Sequence, residues 1–373
     1  MSIEIFEVKT KADRKKFIQF PFDLYKDNSF YVGELNIATK AMITDTNPFL
    51  KHSKIILFMA VLDTQVVGRI AVIKNQIHLD NYNDKAGFFG YFDTIDDVKV
   101  VNALFARAET WLKNEGLSKI IGPTNLTTND SCGILINGFD NSNVVSMPYN
   151  FEYYNKLIAL YGFKKELDLY SYWFDGKLIE KKYSNILKRS SESISKKGII
   201  IRPISNKYFK NDINRLRVVY NTCNKNNWGF IPLKDDEFEK MADELKLIAP
   251  LDLALVVEKG DDIIGFILAV PDINQAIKQV KNGKLLPFQV LKFLWYKRKI
   301  YKARIMILGV LPEYSGQGID LLLYSKITQA LYKNNIIEAE AGYILESNQI
   351  MNSILNKIGG ILKKEYRIYS KNI

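Results

Sequence analysis

Cysteine and histidine are nearly missing from this sequence: only Cys132, Cys223, His52 and His78 occur among 373 residues. The two cysteines lie far apart, without Cys-x-x-Cys spacing. No disulfide and no metal site are therefore expected. Long apolar runs are lacking too, since the longest uncharged one, Ile55 to Leu62, falls far short of the roughly 20 residues that span a bilayer. The opening residues, Met1-Ser-Ile-Glu-Ile, do not pair a basic segment with an apolar one, so no signal peptide is read and a cytoplasmic location is expected. There is no zinc-finger spacing or RRM aromatic signature, and the lysines are scattered rather than gathered in a tail. Nucleic acid is accordingly not an expected partner.

What is present is an ordinary globular composition, 47% hydrophobic and 12% aromatic, long enough for two or three domains with buried cores. The net charge of +11 favours anionic partners, among them phosphate groups and membrane surfaces, without choosing between them.

The most informative stretch is Ile305 to Ile319, Ile-Met-Ile-Leu-Gly-Val-Leu-Pro-Glu-Tyr-Ser-Gly-Gln-Gly-Ile. An apolar run stops at Pro312, glycines follow at Gly316 and Gly318, and a helical pattern begins at once with Leu321, Leu322, Ile327 and Leu331. Strand, glycine turn and helix in that order make a phosphate socket from free backbone N–H groups and the positive end of the helix dipole. A dinucleotide fingerprint requires three glycines and a later acid, and a P-loop requires Gly-Lys-Ser/Thr; neither pattern is here. The remaining pattern, Pro-x-x-x-Gly-x-Gly-Ile, resembles motif A of the GNAT-type N-acyltransferases.

A second segment resembles motif B of that family. Ile336-Glu-Ala-Glu-Ala-Gly-Tyr alternates like a strand, Glu346-Ser-Asn348 follows, and a helix with Ile350, Ile354, Leu355 and Ile358 on one face ends at Gly359-Gly360. The resemblance implies acetyl-CoA or another acyl-CoA as cofactor. It implies that the pyrophosphate is held by the backbone of Ser315, Gly316, Gln317, Gly318 and Ile319, that Leu308, Gly309 and Val310 face the pantetheine, and that Asn348 belongs to the site. Glu340 and Glu346 are the candidate catalytic bases. Glu313 and Ser315 depart from the family pattern by removing positive charge beside the pyrophosphate. Asn356 stands where the family often carries a tyrosine as general acid.

Taken in order, the chain reads as a strand at Ile3 to Val8, a helix from Lys11 to Phe20 interrupted by Pro21, and a hairpin of Ile55–Leu62 and Val66–Lys74. A strand at Ala86–Phe92 and a helix at Val98–Leu112 follow. Between them Asp93-Thr-Ile-Asp-Asp97 is expected to cap the helix with carboxylates and to keep phosphate out. Counted from Asn150 and from Asn348, leucines fall at Leu157 and Leu355, glycines at Gly162 and Gly360, and lysines at Lys165 and Lys363. Such internal similarity marks a duplication.

The expected fold is therefore α/β (α+β): two tandem GNAT-like domains, each a mixed, mostly antiparallel sheet flanked by helices. Residues 1–174 form the first, with a degenerate cofactor turn; 175–198 form a linker helix; 199–373 form the second, with motifs A and B. Two segments exceed the plain pattern. The loop within Gly122 to Pro148 is rich in polar groups, and with its first half freed from cofactor binding it is read as an acceptor site through Asn125, Asn129 and Asp130. The insertion from Pro271 to Tyr301 holds a basic amphipathic helix, so residues 285–299 are read either as membrane-surface contact or as an ordinary docked helix.

The function implied is acyl transfer from coenzyme A to a small-molecule or lipid-like amine. The alternative is a non-catalytic coenzyme A or lipid-binding protein of the same fold.

Overall fold

Strand β1 (Glu4–Glu7) leads into helix α1 (Lys11–Leu24), opened by a capping box in which Thr10 and Asp13 satisfy each other's backbone N–H groups. The computed structural model describes residues 2–175 and 191–373. Helix α1 does not stop at Pro21, as the sequence suggested, but continues one turn beyond it. Proline lacks the N–H that would bond the carbonyl of Phe17, and here the guanidinium of Arg69 takes that acceptor at 2.8 Å.

After α2 (Asn36–Met42) come β2 (Lys54–Leu62) and β3 (Gln65–Lys74), joined through Asp63 and Thr64. Both linking residues have positive φ, 47° and 74°, as a two-residue hairpin turn requires. Helix α3 (Gln76–Tyr82), β4 (Ala86–Thr94), α4 (Val98–Asn114), β5 (Lys119–Gly122), β6 (Ile134–Asn137), α5 (Tyr153–Leu160) and β7 (Lys164–Asp175) complete the first half of the chain. The apolar stripe of α4 puts Val101, Leu104, Phe105, Ala108 and Leu112 into the core, where Phe105 packs on Phe89, Phe92 and Phe163.

The second half repeats the sequence of elements. It runs through β8 (Ile199–Pro203), α6 (Phe209–Asn224), α7 (Asp235–Ile248), β9 (Ala254–Lys259) and β10 (Asp262–Pro271). The insertion follows as α8 (Asn274–Ile277) and α9 (Pro287–Lys297), and then β11 (Lys302–Val310), α10 (Ile319–Lys333), β12 (Glu338–Leu345), α11 (Gln349–Lys357) and β13 (Ile361–Asn372). The expected linker helix lies mainly outside the described residues; 191–196 is helical. No helix among the described residues is long and apolar enough to cross a membrane.

Two units emerge from the contacts. The first comprises Met1–Leu169, Asn274–Arg298 and Lys364–Ile373; the second comprises Tyr170–Ile273 and Lys299–Lys363. In the first, antiparallel β1, β2, β3 and β4 are followed by β5, parallel to β4, and then by the C-terminal part of β13. In the second, β8, β9, β10 and β11 are antiparallel, β12 is parallel to β11, and the end of β7 lies beside β12. Each unit is a mixed, mostly antiparallel sheet flanked by helices, and each draws its last strand from the other half of the sequence.

Candidate functional site

In the second unit, β11 and β12 form a parallel ladder only over Lys302–Ile305 and Glu338–Ala341. Beyond Ile305 the register of β11 against β10 slips by one residue at Met306, a β-bulge, and Leu308, Gly309 and Val310 pair with β10 alone. The two parallel strands are thus joined at one end and lack a shared ladder at the other. Val310 feeds the turn. Pro312–Tyr314 makes a single 3-10 turn, Gly316 and Gly318 have φ of 72° and 80°, and α10 begins at Ile319. Gly318 is the N-cap and has no side chain to accept from the first N–H groups, so these stay available to an anion.

Positive charge reaches this turn from distant segments. Lys197 donates to Oε1 of Gln317 at 2.9 Å, and the ammonium of Lys259 sits 5.2 Å over the Tyr314 ring. Sequence reasoning passed over both lysines because neither belongs to the motif.

The other residues named from sequence fall as follows. Asn348 caps α11, its Oδ1 accepting from the N–H of Met351 at 3.1 Å. Glu340 is buried on β12 and accepts from Ser171 Oγ at 2.7 Å, while Glu346 is half-buried just past the end of that strand. Asn356 is exposed on α11.

The first unit encloses a cavity of about 110 Å³, with Tyr31, Glu34, Arg69, Asp93, Asn125 and Asn143 among its lining. Its position follows from the strands. The parallel β4–β5 ladder ends at Phe88 and Ile121, and Gly90 lets the chain at Thr124 pass so closely that a Cβ there would collide with the Thr124 carbonyl. The loop after β5 then builds the wall. Asn125 lines the cavity and accepts from the N–H of Tyr91 at 2.9 Å. Asp130 instead closes a turn, accepting from the N–H and the hydroxyl of Thr127, with the Asn129 N–H on the same hydroxyl. Asn143 ties the wall to Val32 through both its amide atoms.

The cavity floor is a buried polar network. Arg69 Nε donates to Asp93 Oδ2 at 2.7 Å, and Asp93 Oδ1 lies 3.2 Å from the Tyr25 hydroxyl, which is 2.9 Å from that of Tyr154. Burial, then the nearby Tyr154 and Asp93, hold the Tyr25 hydroxyl far above the ordinary tyrosine range, and burial with Asp93 does the same for Tyr154. Both remain neutral. Burial opposes the charge on Arg69, but Asp93 outweighs it and the guanidinium stays protonated.

Asp93 therefore does not cap α4, as the sequence suggested. It lies within the last two residues of β4 and is consumed by the ion pair with Arg69. The cap is Asp97, which accepts from the N–H of Lys99 at 2.7 Å.

No family model matches the chain. It is 36% identical over 369 residues to protein YghO of Escherichia coli, covering 97% of this chain and 94% of that protein. It is 30% identical over 379 residues to the bacterial ceramide synthase of Caulobacter vibrioides, covering 99% and 97%. Among solved structures, the tandem GNAT protein from the clavulanic acid biosynthesis pathway superposes with a TM-score of 0.58 at 10% identity, covering 100% of this chain and 98% of that one. That likeness extends to the fold. The chain belongs to the family of YghO and bacterial ceramide synthase, and its fold is that of a tandem GNAT protein.

Proposed function

We propose that this protein is an acyl-CoA-dependent N-acyltransferase whose acceptor is a long-chain amine, with the cofactor bound by the second unit. The observation that carries this is the glycine turn before α10, whose N-cap Gly318 has no side chain to fill the helix start, set where β11 leaves β12, in a chain 30% identical to a bacterial ceramide synthase. A ceramide is an N-acylated long-chain amino alcohol, so the relative's name points to amide formation on such an amine. Backbone N–H groups of Ser315 to Ile319, with Lys197 and Lys259, would hold the pyrophosphate, and Leu308, Gly309 and Val310 would lie along the pantetheine.

When bound, the cofactor would supply an acyl thioester to the acceptor nitrogen with the coenzyme A thiol as leaving group, and a carboxylate of this chain would accept the amine's proton. Glu340, buried on β12 beside Ser171, and Glu346, half-buried just past the end of that strand, are the candidates for that base. The cavity of the first unit, with Asn125 in its wall and Asn129 and Asp130 in the adjoining turn, would take the acceptor's polar head. A long-chain amine partitions into membranes, which is why membrane-surface contact through 285–299 belongs with this reading.

The exposed Asn356 at the usual tyrosine position favours one other reading, a coenzyme A binder without catalysis. One experiment separates them. The purified protein is mixed with long-chain acyl-CoA and either a sphingoid-type long-chain base or a short soluble amine, with thiol release and amide product followed. Thiol release that requires the long-chain base is expected. Cofactor binding by calorimetry without thiol release from any amine would establish the non-catalytic reading instead.

A further inference from the structure

Helix α9 leaves a large apolar surface in water. Phe288 is 86% exposed, Leu291 66% and Trp295 53%, with Leu285, Leu286 and Leu294 exposed beside them. The spacing 288, 291, 295 is one face of a helix, while Phe293 and Tyr296, turned away from it, are half-buried. No residue of α9 is fully buried. Exposed hydrophobic clusters of this kind mark interaction surfaces. Lys281, Lys284, Lys292 and Arg298 surround the stripe as exposed residues, and no acidic residue occurs between Asp272 and Glu313.

The insertion is anchored to the wall of the first unit's cavity. Asn274 donates to the carbonyl of Asn143 at 2.9 Å, and Lys278 reaches the Ser142 hydroxyl at 3.0 Å. Gly283 packs so tightly that a Cβ there would collide with the Phe22 ring and the Glu34 carbonyl. Asn143, Phe22 and Glu34 all line the cavity. The apolar stripe and the cavity rim are thus parts of one packed assembly.

We propose that α9 seats the first unit on an anionic lipid bilayer, so that an amphiphilic acceptor enters the cavity from the membrane rather than from water. The charge selects this occupant. Apolar side chains with an interfacial tryptophan and an acid-free basic collar match an anionic interface, whereas an isologous contact with a second copy would set the same basic collar against itself. The proposal rests on the long-chain amine reading for what enters, but docking itself is independent of chemistry.

The test uses the full chain and vesicles of phosphatidylcholine with or without phosphatidylglycerol, in the absence of acyl-CoA and acceptor. The protein should co-sediment with the anionic vesicles and be released by salt, and Trp295 fluorescence should shift to the blue, judged against Trp295→Phe. The exposed triple variant Phe288→Gln, Leu291→Gln, Trp295→Gln should keep its thermal transition and lose vesicle binding by about tenfold or more. In the transfer assay it should lose activity toward amine embedded in vesicles and retain it toward amine in detergent micelles. Unchanged binding by the triple variant, equal binding to neutral vesicles, or a dimer in sedimentation velocity that the triple variant dissolves would each overturn the proposal. Absence of transfer in the wild type, with vesicle binding intact, would count against the acyltransferase reading alone.

Discussion

Arg69 donates to the carbonyl oxygen of Phe17 at 2.8 Å, taking the acceptor that Pro21 leaves without its helical N–H. The same guanidinium holds Asp93 at 2.7 Å. One buried cation thereby mends a helix and neutralises the floor of the cavity. Arg69→Met should cost about 3–5 kcal/mol in urea unfolding, since it strands a buried carboxylate and a bare carbonyl. Adding Asp93→Asn should recover part of that loss, because the two sites are coupled; additive losses would remove the ion pair from the account.

Gly316→Glu should leave the protein folded, because a side chain at this position starts in open space and adds only about 1–2 kcal/mol of left-handed backbone strain. It should abolish coenzyme A binding by placing a carboxylate where phosphate would meet the main chain. Titration calorimetry of the wild type should give one cofactor per chain. Unchanged affinity in the folded variant would remove the turn from the site.

Lys197→Gln and Lys259→Gln should each weaken coenzyme A binding several-fold at low ionic strength, about 0.5–1 kcal/mol for a partly exposed charge. The loss should shrink as salt is added, since screening acts on the wild type as well. A salt-independent effect would point to packing on Gln317 or Tyr314 instead.

Acid stability should depend on Glu258. Hydrogen bonds from Arg202, reinforced by Arg215, hold its carboxyl below the ordinary value, although burial opposes them. A folded pKa below the unfolded one means that the unfolded chain binds the proton more readily. The contribution is therefore complete above the ordinary glutamate range and is lost as pH falls through the lower folded value. Melting temperatures measured downward from neutral pH should fall less steeply for Glu258→Gln than for the wild type; parallel curves would contradict this.

Much of the architecture was legible because it is written locally. The mostly apolar runs Ile55–Leu62 and Val66–Lys74 on either side of the turn residues Asp63 and Thr64 specify a hairpin by themselves, and the apolar spacing of α4 specifies its buried face. The glycines at 316 and 318 announce left-handed backbone before a helix, which is how they occur. The matching positions after Asn150 and Asn348 revealed the duplication, since each leads into a helix and then a twelve-residue strand.

What the sequence left undecided depends on partners far along the chain. Whether Pro21 ends α1 turns on an arginine 52 residues beyond Phe17, and whether Asp93 caps a helix turns on that same arginine. The positive charge at the glycine turn before α10 comes from Lys197, 120 residues before Gln317, and from Lys259. The sequence also placed the insertion simply before the fourth strand of the second half, whereas its hydrogen bonds to Ser142 and Asn143 put it in the first unit. Periodicity and turn chemistry act between neighbours in sequence and so determine elements. The pairing of buried charges and the docking of an inserted helix are settled only when folding brings distant groups within hydrogen-bond reach, and in this protein that decided the floor of the cavity, the charge at the glycine turn before α10 and the unit that carries α9.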